Sequence, residues 1–320
     1  MSKKILIISG DPNSINSEII FKTIKNCNNK IKKRIYILSN FDLLSKQFKT
    51  LNIKFKMSKV KNIDENITSN NVKIINVPLR FKNAFNVSER NASKYIINCL
   101  NIAHNLAIKK KIVGIINCPI DKKLIKSTNK VGLTEFFASK CKLNNSEVMM
   151  IYNKKLAVVP ITTHIPIKKV SKKITKNLIE KKIITVNKYY KNLFKKKPRI
   201  RVLGLNPHNA EYKNNSEEVK KIIPSVSKLK KIGLNVEGPI VSDTVFVEKF
   251  KNFDVIVGMY HDQVLSPFKS LFHFDAINIT LGLSYIRVSP DHGPGKDLIR
   301  MMKANPISLR KCLDFIGKLN

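Results

Sequence analysis

Short runs of β-branched residues alternate with longer amphipathic stretches along the chain, and this alternation most constrains the fold. The apolar run Lys4–Ser9 has the length of a buried strand, whereas Ser88–Lys109 places its apolar residues at helical spacing. Strands that alternate with helices favour a mostly parallel sheet with helices on both faces. The sequence therefore predicts an α/β fold.

The remaining elements follow the same two periodicities. Asn153–Lys155 is typical of a hairpin turn, and Ser216 and Gly233 have the residue types that begin and end a helix. Further strands are expected at Arg34–Leu38, Val72–Val77, Ile112–Cys118, Val148–Tyr152, Leu156–Val159, Ile200–Leu205, Val255–Met259 and Ala276–Thr280. Further helices are expected from about Ser17 and at Lys168–Phe194, Ser216–Ile232, Leu298–Lys303 and Ile307–Ile316.

The chain is strongly basic, with a formal net charge of +38. Lys supplies most of this charge, because Arg occupies only eight positions, and the lysines are spread through nearly every segment. A nucleic-acid platform typically interleaves Arg with aromatic residues, and this sequence does not. We therefore expect weak, salt-sensitive attraction of polyanions and of phosphorylated or carboxylated substrates, without a specific nucleic-acid partner.

Length and composition restrict the class of protein. The 320 residues suffice for two domains, and a hydrophobic fraction of 43% can bury a sizeable core. The apolar runs are far shorter than the ~20 residues of a membrane helix, and the N-terminus does not resemble a signal peptide, so we expect a cytoplasmic protein with no membrane partner. The five cysteines are widely spaced without a CxxC, which argues against disulfides and thiolate zinc sites.

Three of the six histidines occupy matching contexts. His164, His208 and His261 each stand a few residues after a predicted strand. Ligands of open α/β sheets bind beyond the carboxyl ends of strands, and three imidazoles are a typical donor set for a catalytic metal with an open position. We therefore predict a divalent-metal site at these histidines; the alternative is that they are unrelated polar loop residues.

Groups suited to bind anions or accept protons lie near the third histidine in the sequence. Lys269 follows His261 by eight residues, and Asn278 and Arg287 lie on successive predicted strands. Arg287 carries more information because Arg is rare here, whereas Lys269 is one of many lysines. Asp243 fits either a carboxylate beside the metal or a helix N-cap, and the sequence does not separate these roles.

Several well-known motifs are absent. The sequence contains no GxGxxG, no GxxxxGK[ST] and no GxSxG, which excludes the Rossmann fingerprint, the P-loop and the nucleophile elbow. Ser289–Gly295 reads as a turn that leads into a helix, where backbone N–H groups can meet a phosphate.

Several motifs follow one another along nearly the whole chain. The most specific are Met259–Gln263 and Asn278–Leu283, followed by Arg287 and Asp291–Gly293. The others are Gly10–Pro12, Gly132–Phe136, Thr162–Pro166 and Gly204–His208. Together, in this order, they resemble the 4-hydroxythreonine-4-phosphate dehydrogenase family of pyridoxal phosphate biosynthesis.

The resemblance implies a fold like that of isocitrate and isopropylmalate dehydrogenases, with two α/β/α domains around a cleft. We expect residues 1–128 and 278–320 to form the first domain and residues 129–277 to form the second, which carries most of the metal ligands. The resemblance also implies that NAD or NADP binds without a Rossmann glycine motif. It further implies a homodimer with shared active sites, and we expect His261 to come from the neighbouring subunit.

The resemblance also assigns individual residues. The metal ligands, for Zn²⁺, Mg²⁺ or Co²⁺, are His164, His208 and His261. The substrate contacts are Thr134, Lys269, Asn278 and Arg287. Beyond these carried-over roles, we predict that Asp291, His292 and Gly293 contact the cofactor and that Asp243 is the candidate catalytic base.

The chain departs from the family pattern in several places. Leu133 stands where the family has a substrate-binding His, and Leu cannot donate a hydrogen bond. The glycine-rich stretch expected after His208 is replaced by Asn209–Asn215, and the usual Thr-Ala after His-Gly is Pro294–Gly295. These changes bear on substrate and cofactor more than on fold or metal.

The function implied is metal-assisted, NAD(P)-dependent oxidation and decarboxylation of 4-phosphooxy-L-threonine to 3-amino-2-oxopropyl phosphate. One alternative is a related dehydrogenase acting on another phosphorylated hydroxy acid, which Leu133 favours. Another is a non-catalytic polyanion-binding protein, which only the charge favours. That second alternative predicts tight nucleic-acid binding at physiological salt without any dependence on the three histidines.

Overall fold

A computed structural model describes residues 4–65, 71–129, 132–143, 146–247 and 252–319 of the chain. The chain divides into two compact units, of which unit 1 comprises Met1–Cys141 and Leu283–Asn320 and unit 2 comprises Lys142–Gly282. Both units are built from strands and helices, which confirms the predicted α/β class. Within the described ranges, no helix combines the length and apolar character that crossing a membrane requires.

The regular elements follow one another in the order that the sequence pattern predicts, with several additions. The strands are β1 (Lys4–Ile8), β2 (Ile35–Ser39), β3 (Met57–Val60), β4 (Val72–Asn76), β5 (Ile112–Asn117), β6 (Val148–Tyr152), β7 (Ala157–Thr162), β8 (Ile200–Leu203), β9 (Val236–Ile240), β10 (Val255–Tyr260), β11 (Ile277–Leu281) and β12 (Ile286–Pro290). The helices are α1 (Asn16–Lys25), α2 (Asn29–Lys32), α3 (Phe41–Thr50), α4 (Glu89–Ile108), α5 (Leu133–Lys140), α6 (Val170–Lys173), α7 (Lys176–Phe194), α8 (Ile223–Lys231), α9 (His261–Phe272) and α10 (Ile307–Gly317).

Unit 1 contains a parallel sheet in the order β3-β4-β2-β1-β5-β12. The central strand β1 is a continuous apolar run because it is buried from both sides, and Ile5–Ile8 are 0% exposed. Helix α4 packs against β1, β2 and β5. Its buried residues recur at helical spacing, which is why the amphipathic pattern identified it.

Unit 2 has the strand order β11-β6-β7-β10-β8-β9. The four strands β7, β10, β8 and β9 run parallel, whereas β6 is antiparallel to both of its neighbours. The predicted hairpin between β6 and β7 is confirmed. Its turn is closed by the backbone N–H of Asn153, which donates to the carbonyl of Leu156 over 2.9 Å.

The boundaries of the units differ from the predicted ones, which lie after residues 128 and 277. Helix α5 belongs to unit 1 because Phe137 packs edge-on against Tyr285, with 6.3 Å between ring centroids. Strand β11 belongs to unit 2 because it pairs along its whole length with β6. One boundary thus follows a side-chain contact and the other follows strand pairing. The apolar pattern of the sequence does not encode either contact.

Two predicted helices are altered by local backbone chemistry. The helix predicted over Leu298–Lys303 is wrong: only a short 3-10 turn, Lys296–Leu298, forms there. Arg300 and Met302 have φ values of 68° and 55°, which a right-handed helix excludes. The long helix predicted over Lys168–Phe194 is divided, because Thr175 is extended and its hydroxyl caps α7 by accepting the N–H of Leu178.

The helix predicted over Ser216–Ile232 begins with a π-helical turn, Glu218–Ile222, before α8 starts. Pro224 lies within the first two residues of α8. In a regular α-helix the proline ring would clash with the carbonyl four residues earlier, and the proline nitrogen has no hydrogen to donate to it. The wider π-helical turn avoids both problems. The π turn also places Glu218 at a buried position.

An ion cluster ties the beginning of β10 to the segment before β8. The carboxylate of Asp254 accepts the backbone N–H of Arg199 at 2.9 Å, the guanidinium of Arg199 at 3.2 Å and the ammonium of Lys196 at 2.8 Å. Burial alone raises the pKa of Asp254, but these hydrogen bonds outweigh it and hold the pKa below its ordinary value of 3.8.

We predict that Asp254→Asn lowers the free energy of unfolding by about 1–2 kcal/mol near neutral pH, since charge-assisted hydrogen bonds are lost. A depressed folded-state pKa contributes stability above the unfolded value of 3.8 and loses it as the pH falls through the folded pKa. The difference between wild type and variant should therefore shrink in acid.

Urea denaturation at about pH 7 and about pH 3 measures this difference. The control is Asp64→Asn, because Asp64 pairs with Lys111 on the open surface of unit 1 and should matter little. A pH-independent loss at Asp254 would contradict the interpretation.

Candidate functional site

Four parallel strands of unit 2 place the predicted site residues at one edge of the sheet. In the register of β7 and β10, Thr162 pairs with Tyr260. His164 and His261, which follow these two residues, are therefore brought together. Strand β8 lies on the other side of β10 and leads to His208, and β9 lies beside β8 and leads to Asp243.

The His164 and His261 rings lie side by side, with 5.7 Å between their centroids and 39° between their planes. The hydroxyl of Thr162 donates to the carbonyl of Met259 over 2.7 Å and fastens the two strand ends together. His164 adopts a left-handed conformation with φ of 50°, a strained geometry that clusters at functional sites.

His261 is the first residue of α9, so its position is set by how that helix is anchored. Val264 and Phe268 of α9 are fully buried in the core of unit 2. The Nδ1 atom of His261 lies 2.6 Å from a carboxylate oxygen of Asp262. A carboxylate on one ring nitrogen is the usual way in which proteins orient a metal-binding imidazole, and Nε2 is then the atom that faces a ligand.

The loop after β8 carries His208 in a left-handed turn. Five successive non-glycine residues from His208 to Tyr212 have φ values between 47° and 56°. This conformation costs roughly 1 kcal/mol or more for each residue with a Cβ atom, so the turn persists only where other contacts hold it. One such contact comes from the buried side chain of Asn209, whose amide donates to the carbonyl of Pro239 over 3.2 Å.

A buried carboxylate fixes the beginning of the same loop. Glu218 is 0% exposed, and one of its oxygens accepts the backbone N–H groups of Leu205 and Asn206 over 2.7 and 2.8 Å. Its second oxygen accepts the side-chain amide of Asn206 over 3.0 Å. These bonds satisfy backbone donors that secondary structure leaves unpaired, and they hold the loop from which His208 projects.

A cavity of about 260 Å³ opens at this edge of the sheet. Its lining includes His208, Asp243, Tyr260 and Gln263. The structure thus brings Asp243 to the same cavity as His208, while Tyr260 immediately precedes His261. Asp243 lies in a turn, and no helix starts in the described residues 244–247, so the N-cap alternative is wrong.

Within one chain, the structure assembles only part of the predicted three-histidine site. Among the described residues, no three His, Cys, Asp or Glu side chains lie close enough together to hold a metal ion. The donor types nevertheless fit a divalent metal: two adjacent imidazoles, a third imidazole on the neighbouring loop and a carboxylate that orients one of them. The assignment of His261 to a neighbouring subunit stays a prediction.

The other predicted residues of unit 2 lie on β11 and α9. Asn278 is half-buried on β11, and its side-chain oxygen is buried without a hydrogen-bond partner among the described residues. Lys269 is exposed on α9. An unsatisfied buried acceptor favours a ligand or water that donates to it, which is compatible with the predicted role of Asn278.

In unit 1, Arg287 is buried on β12 and only 2% exposed. Its Nε donates to the side-chain oxygen of Asn117 over 2.6 Å, and its guanidinium lies 5.8 Å from the centre of the Phe137 ring. Burial lowers the pKa of Arg287 to about 10, so the group stays charged at neutral pH. A buried cation of this kind attracts an anionic group.

The remaining predicted contacts of unit 1 lie at element ends. Thr134 is half-buried in the first turn of α5, and Leu133 opens that helix. The backbone N–H of Asp291 donates to the hydroxyl of Ser308 over 3.0 Å, and Nδ1 of His292 lies 2.9 Å from the carbonyl of Gly293. These bonds hold the turn after β12 that was predicted to bind the cofactor.

Comparison with known proteins identifies the family. The family model for the pyridoxal phosphate biosynthetic protein PdxA matches residues 13–316. A 4-hydroxythreonine-4-phosphate dehydrogenase from Aquifex aeolicus is 36% identical over 100% of this chain and 99% of its own. The chain belongs to the PdxA family. The resemblance inferred from the sequence motifs is therefore confirmed.

Two further proteins resemble this chain over nearly its whole length. A D-threonate 4-phosphate dehydrogenase from Pectobacterium atrosepticum is 32% identical over 97% of this chain and 97% of its own. The crystal structure of a 4-hydroxythreonine-4-phosphate dehydrogenase from Klebsiella pneumoniae matches with a TM-score of 0.87 at 27% identity, covering 99% of both chains. The fold is thus shared over the full length with a PdxA-like enzyme of known structure.

Two residues of the site were not identified from the sequence, namely Glu218 and Gln263. Their hydrogen-bond partners are mostly backbone groups of other segments, and no spacing rule reveals such partners. The available signal was weak: Glu218 is an acidic residue at a position that the helical pattern of Ser216–Ile232 turns towards the core.

We predict that Glu218→Gln lowers the free energy of unfolding by about 1–3 kcal/mol. The glutamine amide keeps one oxygen acceptor. Its N–H groups would face the side-chain N–H of Asn206, which donates to the second carboxylate oxygen in the wild type. Glu217→Gln is the matched control, because Glu217 is only partly buried and accepts the same side chain over 2.9 Å. Urea denaturation of both variants measures the difference, and equal losses would show that the buried carboxylate is not the main contact.

Proposed function

We propose that this chain catalyses the NAD(P)-dependent oxidation and decarboxylation of 4-phosphooxy-L-threonine to 3-amino-2-oxopropyl phosphate in pyridoxine 5'-phosphate biosynthesis. The observation that carries the proposal is the convergence of His164, His261, His208 and Asp243 at adjacent parallel strand ends of a PdxA-family chain. The substrate follows the printed names of its relatives, which are dehydrogenases of 4-hydroxythreonine 4-phosphate.

In this proposal His164, His208 and His261 hold a divalent metal. Imidazole donors suit Zn²⁺ and Co²⁺, and Mg²⁺ is the third candidate. A metal bound there supplies Lewis acidity towards the oxygen on the substrate carbon that is oxidised. The proposal also keeps the homodimer with shared active sites that the family resemblance implies.

The remaining side chains bind the substrate and move its proton. Lys269 and Arg287 bind anionic groups of the substrate, and Arg287 retains its charge despite burial. Asn278 orients the substrate through its buried side-chain oxygen, and Thr134 adds a hydroxyl contact. Asp243 accepts the proton of the substrate hydroxyl that is oxidised.

Hydride transfer is the chemistry that the nicotinamide cofactor supplies. Asp291, His292 and Gly293 are the residues proposed to hold it. Their turn is fixed by the bond to Ser308, so its backbone geometry exists before any ligand arrives. NAD and NADP are both retained as candidates, since no described residue distinguishes the two.

The activity prediction is NADH or NADPH formation from 4-phosphooxy-L-threonine that requires added Zn²⁺, Co²⁺ or Mg²⁺ and that a chelator abolishes. Absorbance of the reduced nicotinamide measures it, with release of CO₂ as the second readout. If no metal supports turnover with either cofactor, the proposed reaction is wrong. Faster turnover of D-threonate 4-phosphate would instead favour the related dehydrogenase suggested by Leu133 and by the Pectobacterium relative.

We predict that His208→Ala weakens Co²⁺ binding and turnover by more than roughly 100-fold, because it removes an imidazole ligand. His273→Ala is the matched control, since both histidines are exposed and have positive φ values, of 47° and 48°. Co²⁺ absorption and initial rates measure the two variants. Near-normal binding and activity in His208→Ala would defeat the ligand assignment.

A further inference from the structure

The side-chain amide of Gln263 joins three separate segments of unit 2. Its oxygen accepts the backbone N–H of Met259 over 2.6 Å. Its nitrogen donates to the carbonyl of Gly204 over 2.6 Å and to the hydroxyl of Ser242 over 2.7 Å. One half-buried side chain thus makes three short hydrogen bonds, although it is neither a predicted ligand nor a predicted substrate contact.

Each of the three segments leads directly into a residue of the candidate site. Met259 stands two positions before His261, Gly204 stands four positions before His208, and Ser242 immediately precedes Asp243. Gln263 itself lines the cavity that His208 and Asp243 share. The amide therefore lies at the point where the three loops approach one another.

The chemistry of the amide suits this position, because both of its N–H donors and its oxygen acceptor are used. The contact to Met259 requires an acceptor, and the contact to the carbonyl of Gly204 requires a donor, so the orientation of the amide is determined. An ionised glutamate offers no donor, and a methionine offers only a weak acceptor. Among side chains of this size, Gln alone satisfies the set.

A neighbouring glycine makes room for the amide. A Cβ atom on Gly258 would come within 3.0 Å of the Gln263 side-chain oxygen and within 2.5 Å of Val264. Glycine at this strand position lets α9 begin close to the end of β10. The amide then reaches both the β8 loop and the loop after β9.

We propose that Gln263 is a positioning residue that sets the mutual placement of His208, Asp243 and His261. The inference rests on the proposed function, in which these residues serve as metal ligands and base. Gln263 touches none of the reacting groups directly. Its effect is to hold the loops that present them, and loss of such supporting bonds typically weakens metal binding by roughly 10–100-fold.

The first test is Gln263→Met, which keeps the length of the side chain and removes its hydrogen bonds. The matched control is Gln47→Met in unit 1, because the Gln47 amide also joins separate segments: it donates to the carbonyls of Pro12 and Ala84, each over 2.8 Å. Gln47 is the more deeply buried of the two residues. Both variants should lower the urea midpoint. Only Gln263→Met should alter the candidate site.

Imidazole resonances in heteronuclear NMR spectra report the positions of the histidines without any metal. The chain has six histidines, so single His→Ala variants assign them. Gln263→Met should shift the resonances of His208 and His261 and leave His104, in α4 of unit 1, unchanged. If the His208 and His261 resonances match those of wild type, the positioning role is overturned.

Co²⁺ affinity is the second readout, with a loss of roughly 10–100-fold expected in Gln263→Met and none in Gln47→Met. Ser242→Ala removes one of the three contacts and should give a smaller loss. In the Gln263→Met background, Ser242→Ala should cause no further loss of Co²⁺ affinity. If Gln263→Met does not fold, Ser242→Ala alone provides the test. Equal Co²⁺ affinity in wild type and Gln263→Met overturns the proposal. If wild type fails to bind Co²⁺ while the NMR shifts occur, the metal site is wrong and the positioning role stands.

Discussion

The parallel pairing of β7, β10, β8 and β9 is the constraint on which the candidate site depends. Parallel strands end at a common edge, so residues that follow them meet in space although they are far apart in sequence. The pairing of Thr162 with Tyr260 makes neighbours of His164 and His261. A shift of this register by one residue would separate the two rings and would turn the buried side chains of β10 to the other face.

Exposed imidazoles are the candidate ligands of the site, and less exposed side chains hold the loops that carry them by hydrogen bonds. His164 and His208 lie at the surface of unit 2, where a ligand can reach them, whereas Glu218 is fully buried and Gln263 is half-buried beside the loops they hold. Buried polar groups that satisfy backbone donors restrict a loop strongly, because each lost bond leaves an unpaired group away from water. Exposed side chains can then be oriented accurately without being buried themselves.

Much of this arrangement was accessible from the sequence, for definite physical reasons. Strand length and helical spacing are local properties, so β1 and α4 were identified nearly to the residue, and the three histidines were placed at strand ends. The order of strands in the sheet is set by tertiary packing, and the sequence therefore does not show that the rings of His164 and His261 lie side by side. The positive φ values at Arg300 and Met302 also left no signal, since neither residue type favours them.

The loop from His208 to Tyr212 shows how this chain does without the glycines that its family resemblance led us to expect. Left-handed backbone is cheap for glycine and costly for residues with a Cβ atom, except that Asn tolerates it better than most. Asn209 takes advantage of this tolerance and adds a bond to Pro239. The Glu218 carboxylate fixes the segment that precedes the turn. Gly204 leaves room for the Asn209 side chain, because a Cβ at Gly204 would lie 2.1 Å from the Asn209 side-chain oxygen. Hydrogen bonds to buried groups thus replace glycine as the means of holding the turn. The consequence is that His208 depends on distant residues more than it would in a glycine-rich loop.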